Sequence, residues 1–475
     1  MNFVSIDFLW FFLGFFTVYW LAPTSWRLAL LLGGSYFFYA WWDWRFLALI
    51  GFATVVGHTC GRLIHASDSP RVRKRWLTVS IVVSLAVLGY FKYAGFFVDS
   101  AVATMNAMGF RIDPRILGIV LPVGISFFTF EVLTYTVDIY RRELQPTRSL
   151  AVFATFLAFF PHLVAGPIVR ARELLGQLTT PRRFDPADLQ AGLLRFTLGF
   201  FKKAVVADNL ALQIVDPVFA DPARYDTVTV LIAMLAYAAQ IYADFSGYTD
   251  MALGCARVLG YTLPENFRYP YLARSISEFW SRWHMTMSRF FRDYVYISLG
   301  GNRRGPVRAS GNALFTTMLS GLWHGASWTY VVWGALHGVG TIIGNLLEAV
   351  GLRRDRPWAS PVARRLLATL AWCATFLWVV ALWVVFRAHD FDDAIIMLRR
   401  ATSWQGGERL SVDGLVVFGI LAVASEHVFG AWREAQGAAA AAVPALLRGA
   451  FYAALVVLIV NLKPENPNPF IYFQF

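Results

Sequence analysis

Apolar residues run through the chain in long blocks separated by short polar or cationic links. A block of about 20 mostly apolar residues is what a membrane-crossing helix needs. Such blocks cover roughly 6–23, 28–50, 47–65, 76–98, 115–138, 150–168, 191–213, 227–246, 311–330, 328–350, 366–387, 414–430 and 446–462. Several are short, adjacent or interrupted, so the pattern predicts about eleven to thirteen crossings. Lipid gives backbone N–H and C=O groups no partner, so the crossings are expected to be helices. The alternating pattern of a barrel is absent. The first block lacks the basic flank and small-residue cleavage site of a secretory signal and reads as a retained membrane segment.

Two stretches depart from this pattern. Residues 239–252 set Asp244 and Asp250 in or beside apolar sequence, and residues 264–304 are amphipathic, aromatic and basic. The second is too polar to face lipid all round and too aromatic for a free loop. A re-entrant or interfacial helix suits it. Leu121-Pro122-Val123-Gly124 and Phe160-Pro161-His162 put helix breakers inside apolar sequence, which membranes tolerate where backbone lines a cavity or is buried in protein. There is no fixed-period repeat, and the run Ala438 to Ala442 carries no chemistry. No separable soluble domain emerges, so residues 1–475 are expected to form one membrane domain.

Composition sharpens the class. The 475 residues are 57% hydrophobic and only 15% charged, against roughly 25% charged in soluble domains; the mean hydropathy is +0.52. A soluble enzyme is excluded. The net charge of +12 comes from short clusters between apolar blocks, such as Arg71, Arg73, Lys74 and Arg75, and Arg353, Arg354 and Arg356. Loops kept on the cytoplasmic side look like this, so no nucleic-acid partner is expected. Cys60, Cys255 and Cys373 are far apart and without metal-ligand spacing, so neither a disulfide framework nor a metal site is expected. No nucleophile elbow, P-loop, HExxH or GxGxxG is present.

Candidate chemistry therefore rests on intramembrane polar residues. His324 lies in Ser320-Gly321-Leu322-Trp323-His324-Gly325-Ala326-Ser327-Trp328. Small residues there permit close approach, and a buried ionisable group is costly enough to suggest function. Imidazole can take a hydroxyl proton near neutral pH; the structural alternative is a neutral histidine bonded between helices. His284 sits on the amphipathic stretch with Arg282, Arg289 and Arg292, where a solvated basic helix is the plainer reading. His337 and His162 fit core positions, and His58, His65, His389 and His427 lie near block ends or charges. A carboxylate at a helix centre costs about 2.5–3.5 kcal/mol, so Glu131, Asp244 and Asp250 should be paired or wet. For Asp250, Arg257 or another cation is the expected partner, and Asp138 marks an interface beside Arg141 and Arg142.

Several segments carry a resemblance: Ser35 to Trp41; LPVGISFFTFEVLTYTVDIYRRE from Leu121; PHLVAGPIVR from Pro161; QIYADFSGYTDMALGCARVLGYTLPENFRYPY from Gln240; EFWSRWHMTMSRFFRDYVYISLGGNRRG from Glu278; GLWHGASWTYVVWGALHG from Gly321; and the terminal PFIYFQF. In this order they resemble the membrane-bound O-acyltransferase family, in its bacterial alginate O-acetylation type. Glu131 departs from that pattern, since close relatives usually carry a neutral or histidine side chain there.

The resemblance implies an all-α polytopic fold, with a ring of membrane helices and re-entrant or interfacial helices around a central funnel. It implies His324 as the catalytic histidine and His284 as a second functional one. The implied activity moves an acetyl group from cytoplasmic acetyl-CoA, a substrate and not a bound cofactor, to an extracytoplasmic polysaccharide such as alginate. Transfer would be direct or through a periplasmic SGNH-like acetyltransferase partner, in a bacterial inner membrane among its lipids. Arg282, Arg289, Arg303 and Arg304 are candidates for the donor phosphates, because arginine forks match them. D-alanyl or other acyl transfer to a cell-wall polymer, and polysaccharide transport without catalysis, remain open alternatives.

Overall fold

The computed structural model describes residues 1–113, 118–164, 166–349, 360–435, 445–465 and 468–471. The Arg353, Arg354 and Arg356 cluster, the Ala438 to Ala442 run and the last four residues of the terminal motif lie outside them. The described residues are helices and loops with no strand; an isolated bridge joins Tyr225 and Glu408. Among the described residues, six helices are long and apolar enough to cross a membrane: Thr24–Ala66, Pro70–Ala107, Thr227–Val258, Trp328–Ala349, Pro361–Arg387 and Gly414–Ala435. Ile6–Leu21 and Gly449–Leu462 are shorter and also apolar. The protein is thus an all-α, multi-pass membrane protein.

The chain forms two compact units, Met1–Phe196 with Met251–Pro264, and Thr197–Asp250 with Glu265–Phe475. In the first, blocks predicted as full crossings become shorter buried pieces. The block at 115–138 yields Ile125–Tyr140, and that at 150–168 yields Leu150–Ala158 and Phe160–Leu163, broken at Phe159. Gly124 starts the Ile125–Tyr140 helix at φ 78°, and a Cβ there would stand 2.5 Å from the Leu163 carbonyl. Only glycine meets both demands without strain. Every residue from Ile125 to Thr136 is buried, so this helix belongs to a protein core. There Glu131 Oε1 lies 3.0 Å from His162 Nδ1.

In the second unit, the chain widens into i→i+5 turns at Lys202–Ala207 and Ala211–Val215. Such turns are rare and gather at functional or strained places. The first of them carries Lys202 and Lys203, which meet the acidic residues of the Thr227–Val258 helix. Lys203 Nζ lies 2.8 Å from Asp208 and 2.6 Å from Asp244 and donates to the Asn468 carbonyl at 2.9 Å. Asp244 Oδ2 in turn accepts from the Ile471 N–H at 2.9 Å. Lys202 Nζ lies 2.5 Å from Asp250 and 3.1 Å from Glu426. Asp250 thus takes a cation other than Arg257. In the first unit, Arg257 pairs with Asp188 at 3.0 Å.

The blocks at 311–330 and 328–350 form a helical hairpin, Pro306–His324 and Trp328–Ala349. Its arms touch through small residues: a Cβ on Gly321 would collide with the Tyr330 carbonyl, and one on Gly334 with the Thr317 carbonyl. Small-residue contact of this kind lets membrane helices pack backbone to backbone. It fixes where His324 ends up.

Candidate active site

The amphipathic stretch is not one helix. Ser275 caps Ile276–Arg282 by accepting from the Glu278 N–H, and Arg282 Nη2 donates to Glu278 Oε1 at 2.9 Å. The helix then stops. His284 adopts φ 42°, ψ 54°, and a second short helix, Met285–Phe290, begins. A left-handed non-glycine residue costs of order 1–3 kcal/mol and persists only where its surroundings enforce it.

Asn266 supplies that enforcement. It is wholly buried. Its backbone carbonyl accepts from Met285 N–H at 2.9 Å. Its Oδ1 accepts from Thr286 N–H at 3.2 Å and from Thr286 Oγ1 at 2.9 Å, and it stands 3.1 Å from His284 Nδ1. A backbone N–H can only donate, so the amide atom facing it must be the oxygen. His284 Nδ1 therefore carries the proton and donates to it, leaving Nε2 as the basic nitrogen of the neutral ring. Burial pushes this imidazole down to about 3, because the low-dielectric surroundings disfavour its charged form.

His324 is the last residue of its helix, followed by Gly325, and is 3% exposed. Its ring lies edge-to-face with Trp333 at 5.2 Å and with Phe386 at 5.5 Å. The His284 and His324 rings are 6.4 Å apart, although forty residues separate them in the chain. Trp323 stacks obliquely on His284 at 5.8 Å, and Phe245 meets it edge-on at 4.7 Å. Two imidazoles thus share one aromatic, water-poor enclosure.

The arginines are dispersed. Arg282 is half-buried and tied to Glu278, and Arg289 is half-buried on the second short helix. Arg303 and Arg304 are exposed on a turn whose glycines, Gly300, Gly301 and Gly305, all have positive φ. That turn precedes Pro306, at the far end of the His324 helix, roughly 27 Å away at 1.5 Å per residue. Two other histidines serve elsewhere, whereas His337 packs on Trp333, the neighbour of His324. His427 Nδ1 contacts its own helix at the Val423 carbonyl, 2.8 Å away, and His389 is exposed beside Asp390. Asn266 was not legible as a site residue. Its signal was a polar side chain two residues after Pro264, in the segment shared with the resemblance.

A conserved-family profile, that of the membrane-bound O-acyltransferases, matches residues 8–381. The chain belongs to this family and is an acyltransferase. Among its relatives, a probable alginate O-acetylase of Azotobacter vinelandii is 44% identical over 83% of this chain and 76% of its own length. Another, from Pseudomonas putida, is 39% identical over the whole of both chains. A peptidoglycan O-acetyltransferase of Helicobacter pylori is 32% identical over 83% and 77%.

Proposed function

We propose that the protein transfers an acetyl group from acetyl-CoA, on the cytoplasmic side of a bacterial inner membrane, to a hydroxyl of an extracytoplasmic polysaccharide of the alginate kind. Transfer runs directly or through a periplasmic SGNH-like acetyltransferase. The observation that carries this reading is the pair of buried rings, His284 and His324, 6.4 Å apart. An acceptor hydroxyl that donates to His324 at about 2.8 Å therefore sits beside the His284 ring.

His324 takes the proton of the acceptor hydroxyl as its oxygen attacks the thioester carbonyl. The tetrahedral intermediate collapses, the carbon–sulfur bond breaks, and the leaving thiolate takes that proton from the imidazolium. General base catalysis of this kind contributes about 10²–10⁴ in rate. His284 offers only a lone pair at Nε2, and the reacting hydroxyl's one proton goes to His324. It can therefore accept only from a neighbouring hydroxyl of the acceptor sugar, which orients the acceptor. It is poorly suited to stabilise the oxyanion, which needs donors such as backbone N–H groups. Positioning in a closed site adds as much as about 7–11 kcal/mol. Names of the relatives support acetyl as the acyl group and a cell-envelope polysaccharide as the acceptor.

Mass analysis of the secreted polymer from cells with and without the protein tests the acceptor. Acetyl esters should vanish without it and return with the wild-type chain. Unchanged acetylation in its absence would refute the reading.

A further inference from the structure

A cavity of about 320 Å³ lies within the first unit, where the link between Ile6–Leu21 and Thr24–Asp43 meets the loop at Thr180–Arg182. Tyr19, Thr24, Arg27, Leu178, Arg182 and Tyr261 line it, and none of the residues assigned to acyl transfer does. Ligand sites run to about 300–1,000 Å³, so it has room for a small polar group and not for a whole lipid.

Its two arginines are half-buried and adjacent. Arg27 donates through Nη1 to the Arg182 carbonyl at 2.7 Å and through Nε to that of Ala22 at 3.3 Å. Arg182 donates through Nε and Nη2 to the Gln177 carbonyl at 3.1 and 2.7 Å. Arg27 lies over the Trp20 ring at 4.8 Å and Arg182 over that of Tyr261 at 5.2 Å. These contacts fix both forks and cancel neither charge. A guanidinium has five N–H donors, so each keeps some to spare. No carboxylate is among the described residues that line the cavity.

The remaining polar groups favour the same kind of occupant. Tyr19 and Tyr261 are buried, and their hydroxyl oxygens stand 3.3 Å apart. That contact takes one of two hydroxyl protons and leaves the other to donate. Thr24 opens its helix with no side-chain cap and no acidic residue in the first turn, which adds to the positive potential. Two fixed guanidinium forks with further donors match a phosphate group. Leu21, Trp26 and Phe184, close in sequence to the two arginines, are exposed apolar side chains. Aromatic residues at the ends of membrane helices sit at headgroup level, and basic pockets between such helices hold lipid head groups.

We propose that this cavity binds the phosphate of an anionic phospholipid through Arg27 and Arg182, with the acyl chains outside against Leu21, Trp26 and Phe184. The test uses the full chain in nanodiscs of phosphatidylglycerol and phosphatidylcholine in equal parts, the retained lipid being counted by native mass spectrometry. Wild type should hold phosphatidylglycerol over phosphatidylcholine about tenfold, the worth of one hydrogen bond to a charged group. Thr24→Glu suits a helix N-terminus, so the fold should stand, yet it sets a negative charge in the cavity; the preference should fall to near parity. Arg182→Gln should act likewise. Thr24→Gln, of the same shape without the charge, should keep the preference. So should Ser69→Glu, which makes the same charge change beside Arg71 and Arg73, outside the cavity. No preference in wild type, a preference that survives Thr24→Glu, or equal losses in Thr24→Glu, Thr24→Gln and Ser69→Glu would overturn the site. Phosphatidylglycerol should also raise the melting temperature, and millimolar inorganic phosphate in phosphatidylcholine nanodiscs should not. Equal stabilisation by inorganic phosphate would mark a site for the free anion and overturn the lipid assignment.

Discussion

Asn266 Oδ1 lies 3.1 Å from His284 Nδ1 and also accepts two hydrogen bonds from Thr286, so one buried amide sets the tautomer, position and backbone of this histidine. Asn266→Ala should leave a buried imidazole N–H and the Thr286 groups unsatisfied, at about 1–3 kcal/mol each. Acyl transfer should fall at least tenfold, and a thermal melt in detergent should show lower stability.

Asn266→Asp keeps the acceptor and adds a negative charge beside the ring. In the wild type, burial holds the imidazole at about 3, so His284 stays neutral throughout the working range. A neighbouring carboxylate favours the charged form and raises that value. The variant should therefore lose activity as pH falls through a new acid limb, where the wild-type rate shows no such step from His284. A pH–rate profile of both proteins decides it.

Lys203 neutralises Asp208 and Asp244 in the interior. Removing one partner of a buried ion network typically costs 3–5 kcal/mol. Lys203→Met should reduce the yield of monodisperse protein sharply, and Lys203→Met with Asp208→Asn and Asp244→Asn should recover part of it. Size-exclusion chromatography in detergent measures both.

Gly321→Ala puts a methyl group against the Tyr330 carbonyl, a backbone atom that cannot move aside. Overpacking costs about 1–3 kcal/mol, and the shift would displace His324 three residues on. Lower melting temperature and weaker transfer are expected together. Gly344→Ala, on the same hairpin in open space, should change neither.

The class of the fold was readable because it depends on local sequence, and His324 stands out as a candidate in the same way. The basic neighbours of His284 make a solvated helix its plainer reading, yet it is wholly buried. Long apolar blocks identify membrane helices, and an imidazole among small apolar residues stands out, as His324 does. Shorter elements were misjudged where hydropathy alone cannot distinguish lipid from protein surroundings. Ile125–Tyr140 is apolar because it is a core helix, and its 16 residues are fewer than a crossing needs. The pairings of Lys202 and Lys203 with Asp250 and Asp244 were hidden because they depend on wide turns that bring distant segments together. Asn266 was missed for the same reason. Its partners lie eighteen and twenty residues away, and nothing local marks a buried amide as the acceptor that sets a histidine's tautomer.

The most direct measurement is acetyl transfer from labelled acetyl-CoA by purified, reconstituted protein, comparing wild type with His324→Ala. The variant should remain folded and monodisperse while its rate falls by about 10²–10⁴, the contribution of a positioned general base. Transfer by folded His324→Ala at the wild-type rate would contradict the assignment of the reaction to this histidine.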